Sequence, residues 1–227
     1  MKKKELSVII PTLNEEKTIK RCLECIIGIP DTEIIISDGG STDKTVEIAR
    51  QFPEVKVLSS PKGRGVQMNR GALYAHGEIL LFLHADGIIA KEAVLTIRNI
   101  LKNDQTGGGA FQIHLLSDRF PYRLLEIGIN LRSRVFQLPY GDQGLFLKRS
   151  VFAEMGGFRE MDVCEDLDLV WRLRKKYKIV IVNKKISSSV RRWEKNGIMK
   201  TSLRNLFLLA SYVSKHALPH FRLFSKA

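Results

Sequence analysis

The sequence predicts an α/β fold with a mostly parallel, mixed central sheet flanked by helices and a basic C-terminal helix at the end. Three observations carry that reading. The first hundred residues alternate short, β-branched apolar runs with helix-length segments, which is the rhythm of βαβ units joined by right-handed crossovers. The runs, LSVII and ILLFL among them, are apolar almost throughout, as in strands covered by helices on both faces. Each of the first four runs ends in a polar tip, and open α/β sheets bind ligands beyond the carboxyl ends of their strands.

The elements follow in order. Leu6–Ile10 reads as a strand, Glu15–Ile27 as an amphipathic helix and Glu33–Ser37 as a second strand. Ser41, Thr42 or Asp43 can cap a helix over Asp43–Gln51. A strand at Val55–Ser59, a helix at Gly65–Ala75, a strand at Glu78–His84 and a helix at Ala90–Lys102 complete the first half. Beyond Gly107–Gly109 the rhythm changes, with strands at Ala110–Leu115, Gly144–Lys148 and Ile179–Val182 and helices at Tyr122–Val135 and Glu165–Lys176. This half extends the same sheet, because no repeat, low-complexity tract or Pro/Ser-rich linker marks a boundary. From Gly197, apolar Ile198, Leu203, Leu206, Phe207 and Val213 fall between Lys200, Arg204 and Lys215, an amphipathic basic helix. The expected organisation is one domain over residues 1–196 and a helical extension over 197–227.

At 227 residues and 44% hydrophobic, the chain is long enough for one domain with a sizeable core. Thirty-seven basic against 24 acidic residues give a net charge of +13, which raises nucleic acid, anionic membrane or phosphorylated substrate as partners. The surplus is not spread evenly: residues 172–227 hold 15 basic residues and one acid, Glu194. That confinement, without a recognised nucleic-acid motif, argues against a nucleic-acid partner. Three cysteines, Cys22, Cys25 and Cys164, do not suggest a disulfide framework, so a cytoplasmic setting is expected, with a peripheral position on the membrane face as an extension of it. The apolar run after Lys2–Lys4 is too short and too β-branched for a signal peptide, and Leu206–Val213 is too short to span a bilayer.

Chemistry concentrates at the strand tips. Pro11, Thr12, Asn14 and Glu15 follow the first run; Asp38, Gly39 and Gly40 the second; Lys62 and Arg64 the third; His84, Ala85 and Asp86 the fourth. Asp38 can accept from a base edge or ribose hydroxyls, or simply belong to a capped turn. Asp86 suits a hard divalent cation such as Mg²⁺ or Mn²⁺, which keeps positions open for phosphates; His84 beside it is as often a structural hydrogen-bonder as a ligand. Glu165 and Asp166 open a helix whose dipole alone favours acids, and neighbours about 100° apart on a helix are not expected to point inward together. Arg191 and Arg192 suit a diphosphate, with a solvated basic turn around Trp193 as the alternative. Gly141, Asp142 and Gln143 form a loop for acceptor binding or for turning the chain.

Taken together, VIIPTLNEE, SDGGSTDKT, GRGVQMNRGA, LFLHAD, GDQGLFLKRSVFAEMGGF, ED and RRW resemble, in order and over roughly residues 5 to 195, the inverting glycosyltransferases of family 2 with the GT-A fold, and most nearly its small single-domain bacterial branch. The resemblance implies a nucleotide-sugar site lined by Pro11, Thr12, Asn14, Glu15, Asp38, Gly40, Lys62, Arg64, Asn69, His84, Ala85, Asp86, Arg191, Arg192 and Trp193. A UDP-sugar is the favoured donor. It implies a metal, Mn²⁺ or Mg²⁺, on Asp86, and a base at Asp166 with Glu165 beside it. Gly141, Asp142 and Gln143 would then meet an acceptor, a lipid-linked one if the basic tail rests on an anionic membrane. His84 replaces the first acid of the family's metal motif, and Ser189 replaces the Gln of the processive members. A nucleotidyltransferase is the nearest rival, but a glycine-rich triphosphate loop does not follow the first strand. A non-catalytic polyanion binder is the other. The lack of a G-x-G-x-x-G there also speaks against a dehydrogenase.

Overall fold

The computed structural model describes residues 4–217, with side chains through Ser214. Its contacts divide the chain into a body ending at Ser188 and a second unit from Ser189. The body opens with β1 (Leu6–Thr12), α1 (Ile19–Ile26), β2 (Thr32–Asp38), α2 (Thr45–Arg50), β3 (Val55–Ser59), α3 (Arg64–Leu73) and β4 (Ile79–Phe82). It continues through β5 (Ile88–Ile89), α4 (Lys91–Ile100), β6 (Thr106–Leu115) and α5 (Phe120–Phe136). A single 3₁₀ turn (Gly141–Gln143) leads to β7 (Leu145–Lys148), α6 (Arg149–Glu154), α7 (Glu165–Leu173) and β8 (Lys178–Ser188). The eight strands form one sheet in the order β3-β2-β1-β4-β7-β6-β8-β5, the mixed α/β architecture that the sequence predicts.

Its first half is wholly parallel. β1 is central, pairing Leu6 with Thr32 of β2 on one side and with Ile79 of β4 on the other. Val8, Ile9 and Ile10 are fully buried, as are Leu80 and Leu81, so helices cover both faces as continuous apolar strands require. β7 runs antiparallel to β4 and β6, and the two-residue β5 antiparallel to β8, which gives the mixed half.

Two departures from the expected elements have clear causes. The first helix begins at Ile19 rather than Glu15, because residues 14–16 are hydrogen-bonded to the loop after β2 and to the first residue of α2. Asn14 N–H donates to Ser41 Oγ (2.9 Å), Glu15 N–H to Thr45 Oγ1 (2.7 Å) and Glu16 N–H to Asp43 Oδ2 (3.1 Å). Asn14 takes φ +57° to allow it. The glycine run 107–109 is not a break but the start of β6. A Cβ at Gly109 would stand 2.3 Å from the Val180 carbonyl and 2.6 Å from the Phe146 ring, so only glycine lets β7 and β8 close on this strand.

The second unit holds α8 (Arg191–Asn196) and α9 (Ile198–Ala217). α9 is the expected tail helix; the part of that expectation beyond Ala217 lies outside the described residues. No helix among the described residues is long and apolar enough to cross a membrane. With the body ending at Ser188, seven of the late cations, Arg172 to Lys185, belong to it and not to the tail.

Candidate active site

The tips of β1 and β2 are tied to each other before any ligand is considered. Asp38 is buried and accepts four hydrogen bonds: from Thr12 Oγ1 (3.0 Å), Gly40 N–H (3.0 Å), Ser41 N–H (2.8 Å) and Ser41 Oγ (2.5 Å). Gly40 supplies the φ of +90° that this turn requires. Gln67 of α3 donates from Nε2 to the Thr12 carbonyl (2.7 Å) and the Ser37 carbonyl (2.9 Å). Its amide lies where a Cβ at Gly39 would come, at 3.0 Å. Sequence reading passes over Gln67, since a glutamine inside a helix carries no signal of this role. Of the other residues expected here, Pro11 and Glu15 are half-buried, and Asn14 and Lys62 are exposed at the rim.

The second group gathers beyond β4. Arg64 at the head of α3 pairs through Nε with Glu165, and its Nη2 stands 3.9 Å from Asp166 Oδ2. Both acids are buried and both reach Arg64, so the expectation that only one of these neighbours points inward is corrected. Cys164 before them takes φ +67°, which bends the chain into α7 so that the first turn presents the two carboxylates to one guanidinium. Asp166 also accepts from Gly141 N–H (2.6 Å) at Oδ2 and Leu167 N–H (2.7 Å) at Oδ1. A Cβ at Gly141 would fall 3.0 Å from Asp166 Oδ2 and 3.1 Å from His84 Nε2. His84, Gly141 and Asp166 therefore meet around one small space.

The electrostatics of this group are unusual for so few residues. Burial, and then the charge of Asp166, push Asp142 up to about 6. Burial, and then the Arg64 cation, bring His84 down to about 4, so its ring is neutral at pH 7. His84 Nε2 and Asp142 Oδ1 are both buried without a hydrogen-bond partner, and such orphaned polar atoms in a cleft mark a place built for something else. Asp86 contributes its negative charge to the same field, and Ala85 beside it is buried. Among the described residues no group of three or more His, Cys, Asp or Glu is arranged as a metal cage.

Two expected contact residues are occupied by the fold. Asn69 clamps the backbone of Phe158, donating to its carbonyl (2.7 Å) and accepting from its N–H (2.9 Å). Gln143 is fully buried, donating to the Phe111 carbonyl (2.9 Å) and accepting from Ser133 Oγ (2.6 Å). Tyr140, which sequence reading did not single out, lies under the Arg132 guanidinium at 3.5 Å. Asp168 holds Arg172 (2.7 Å) and Arg159 (3.2 Å), and Arg172 in turn binds the Gly157 carbonyl (2.8 Å). Arg191, Arg192 and Trp193 lie in α8 of the second unit, the arginines exposed and the tryptophan buried. A cavity of about 650 Å³ lined by Glu78, Ile79, Arg98 and Lys148 sits at the amino end of β4, the opposite end from these groups.

Carboxylates, a histidine and an arginine gathered past the carboxyl ends of the parallel strands lie where an open α/β sheet binds its ligand. The chain belongs to glycosyl transferase family 2, whose family model matches residues 7–159. It is 27% identical over 198 residues to the probable glycosyltransferase YdaM of Bacillus subtilis, an alignment that covers 74% of this chain and 46% of that protein. The chain thus spans less than half of that relative's length. Among solved structures it is similar to S. aureus TarS 1-349 in complex with UDP-GlcNAc, at TM-score 0.65 and 19% identity, covering 82% of this chain and 58% of that one. The mannosyltransferase PcManGT of Pyrobaculum calidifontis, in complex with GDP-Man and Mn²⁺, superposes at TM-score 0.67 and 20% identity over 82% of this chain and 57% of its own.

Proposed function

We propose that this glycosyltransferase moves a sugar from a nucleoside diphosphate donor, a UDP-sugar in the first instance, to an acceptor hydroxyl with inversion at the anomeric carbon. The observation that carries the reading is the Asp166 carboxylate: buried, fixed by two backbone N–H groups and facing the small space that it shares with Gly141 and His84. Asp166 would take the acceptor's proton as that oxygen attacks the anomeric carbon, the general-base role. Its backbone partners hold it in one orientation, and Glu165 positions Arg64 across from it. Neutral His84 offers a ring nitrogen that accepts or donates without adding charge. Asp142, which burial and the Asp166 charge push up to about 6, suits a hydrogen bond to a sugar or acceptor hydroxyl.

The donor set fits a divalent cation of the kind that the PcManGT complex contains. Asp86 would hold it, with Asp142 and its orphaned oxygen beside it, and the rest of its shell would come from diphosphate oxygens and water. When bound, such a cation neutralises charge on the leaving diphosphate. Arg191 and Arg192 are proposed for the same charge on the strength of the RRW motif. Pro11, Thr12, Asn14, Glu15, Asp38, Gly40, Lys62 and Trp193 are proposed for the nucleotide. Asp38 and Asn69 also hold loops of that site, the Gly39–Ser41 turn and the Gly156–Phe158 turn. The acceptor-side loop is Gly141–Gln143, with Gln143 as its internal anchor. A lipid-linked acceptor and an anionic membrane under α9 are supported by exposed Met199, Leu203, Leu206 and Phe207 on a helix carrying Lys200 and Arg204. The domain limits proposed are 1–196 and 197–227.

A thermal-shift panel of UDP-, GDP- and dTDP-sugars with and without Mn²⁺ tests the donor class. Stabilisation by one nucleotide class that depends on the metal is the expected result. No stabilisation by any sugar nucleotide would remove the donor reading.

A further inference from the structure

We infer that the outward face of α5 is a docking surface for a membrane of anionic phospholipid. Phe120, Leu124, Ile127, Leu131 and Val135 follow one another at spacings of three and four along this 17-residue helix, so they form a single stripe. All five are exposed, by 59 to 78%. The side that packs on the body carries polar groups beside buried Tyr122. Glu126 accepts from the Leu115 N–H (3.0 Å), Asn130 bonds both the N–H and the carbonyl of Ile113 (2.9 Å each), and Ser133 Oγ donates to Gln143 (2.6 Å). α5 thus leaves a full-length apolar stripe outward while much of its contact with the body is made by hydrogen-bonding groups. A contiguous exposed apolar face of this length marks an interaction site, and a lipid surface is the setting in which an apolar outward stripe is stable.

Charge selects the occupant. The sole acid within α5, Glu126, points inward and meets Arg123 (2.8 Å) and Lys185 (3.6 Å). The rim is cationic: Arg119 is exposed at the N-cap of α5, Arg134 is exposed within it, and Lys185 is exposed on β8, which is tied to α5 where Arg134 reaches Asn183 (3.4 Å). Asp118 is the one acid adjoining the stripe in the chain. Two copies stacked through this face would set arginines against arginines with almost no acid to answer them. Anionic headgroups supply that answer while acyl chains take up the stripe. This surface is distinct from α9, and the inference does not depend on the donor or on catalysis.

Flotation of the full chain with phosphatidylcholine vesicles, and with vesicles that also contain phosphatidylglycerol, tests it. The expected result is salt-sensitive binding to the mixed vesicles, weakened about tenfold or more by the pair Leu124→Glu and Leu131→Glu, with the thermal midpoint unchanged. The milder pair Leu124→Gln and Leu131→Gln replaces it if the glutamates lower that midpoint. A matched pair in α9, Leu203→Glu and Phe207→Glu, separates the two helices. Loss with the α5 pair supports the inference whatever the α9 pair does. Equal binding by wild type and the α5 pair, no vesicle binding at all, or a wild-type dimer that the α5 pair turns into a monomer without any vesicle binding would overturn it.

Discussion

At the scale of single residues the site is a cluster of charges, the buried Glu165 and Asp166 beside Arg64 with Asp142 close by. Asp142 is the clearest case, since its folded-state pKa near 6 lies above the ordinary carboxylate value. The protonated form therefore stabilises the fold in acid, and that contribution is lost as pH rises through about 6. Asp142→Asn removes the penalty, so it should raise stability by roughly 1 to 2 kcal/mol at pH 7.5, with the gain shrinking towards pH 4. Urea unfolding across that range checks it, and a gain that grows in acid would reverse the sign. Asp142 was legible from its place in the GDQG loop, and so were Asp86, Asp166 and His84 from strand tips and a helix start. Gln67 and Tyr140 were not, because a bond to a carbonyl or a ring under a guanidinium depends on tertiary approach that no local pattern encodes.

At the scale of elements, loops are fixed by side chains borrowed from helices. Asn69 of α3 meets both backbone groups of Phe158, so Asn69→Ala leaves a half-buried N–H and carbonyl unanswered and should cost about 2 to 3 kcal/mol in urea unfolding. A change below about 0.5 kcal/mol would show that water replaces the clamp. Gly109→Ala should cost about 3 kcal/mol or more, because its Cβ would meet a carbonyl and a ring in the sheet interior; wild-type stability in that variant would mean that β6 and β8 part readily. The parallel half of the sheet was readable because its strands are apolar on both faces. β5, α6 and the glycine start of β6 were not. Two residues make no period, and glycine reads as a break until a neighbouring strand is seen pressing on it.

At the scale of the whole molecule, the net +13 first points to a polyanion. The fold divides the surplus between the body, which holds the seven cations from Arg172 to Lys185, and the second unit, so the charge does not belong to one tail. If Arg191 and Arg192 meet the donor diphosphate, Arg191→Ala with Arg192→Ala should weaken donor affinity about tenfold or more in calorimetry; unchanged affinity would leave the diphosphate to the metal and Arg64. The central claim, however, is that Asp166 is the base of a family 2 glycosyltransferase. Its most direct test is Asp166→Asn, which keeps an acceptor oxygen near Gly141 while removing the basic charge. Nucleoside diphosphate release from the donor found by thermal shift should fall about a thousandfold, with donor binding within a few-fold of wild type. Near-normal release by the Asn variant would contradict the account.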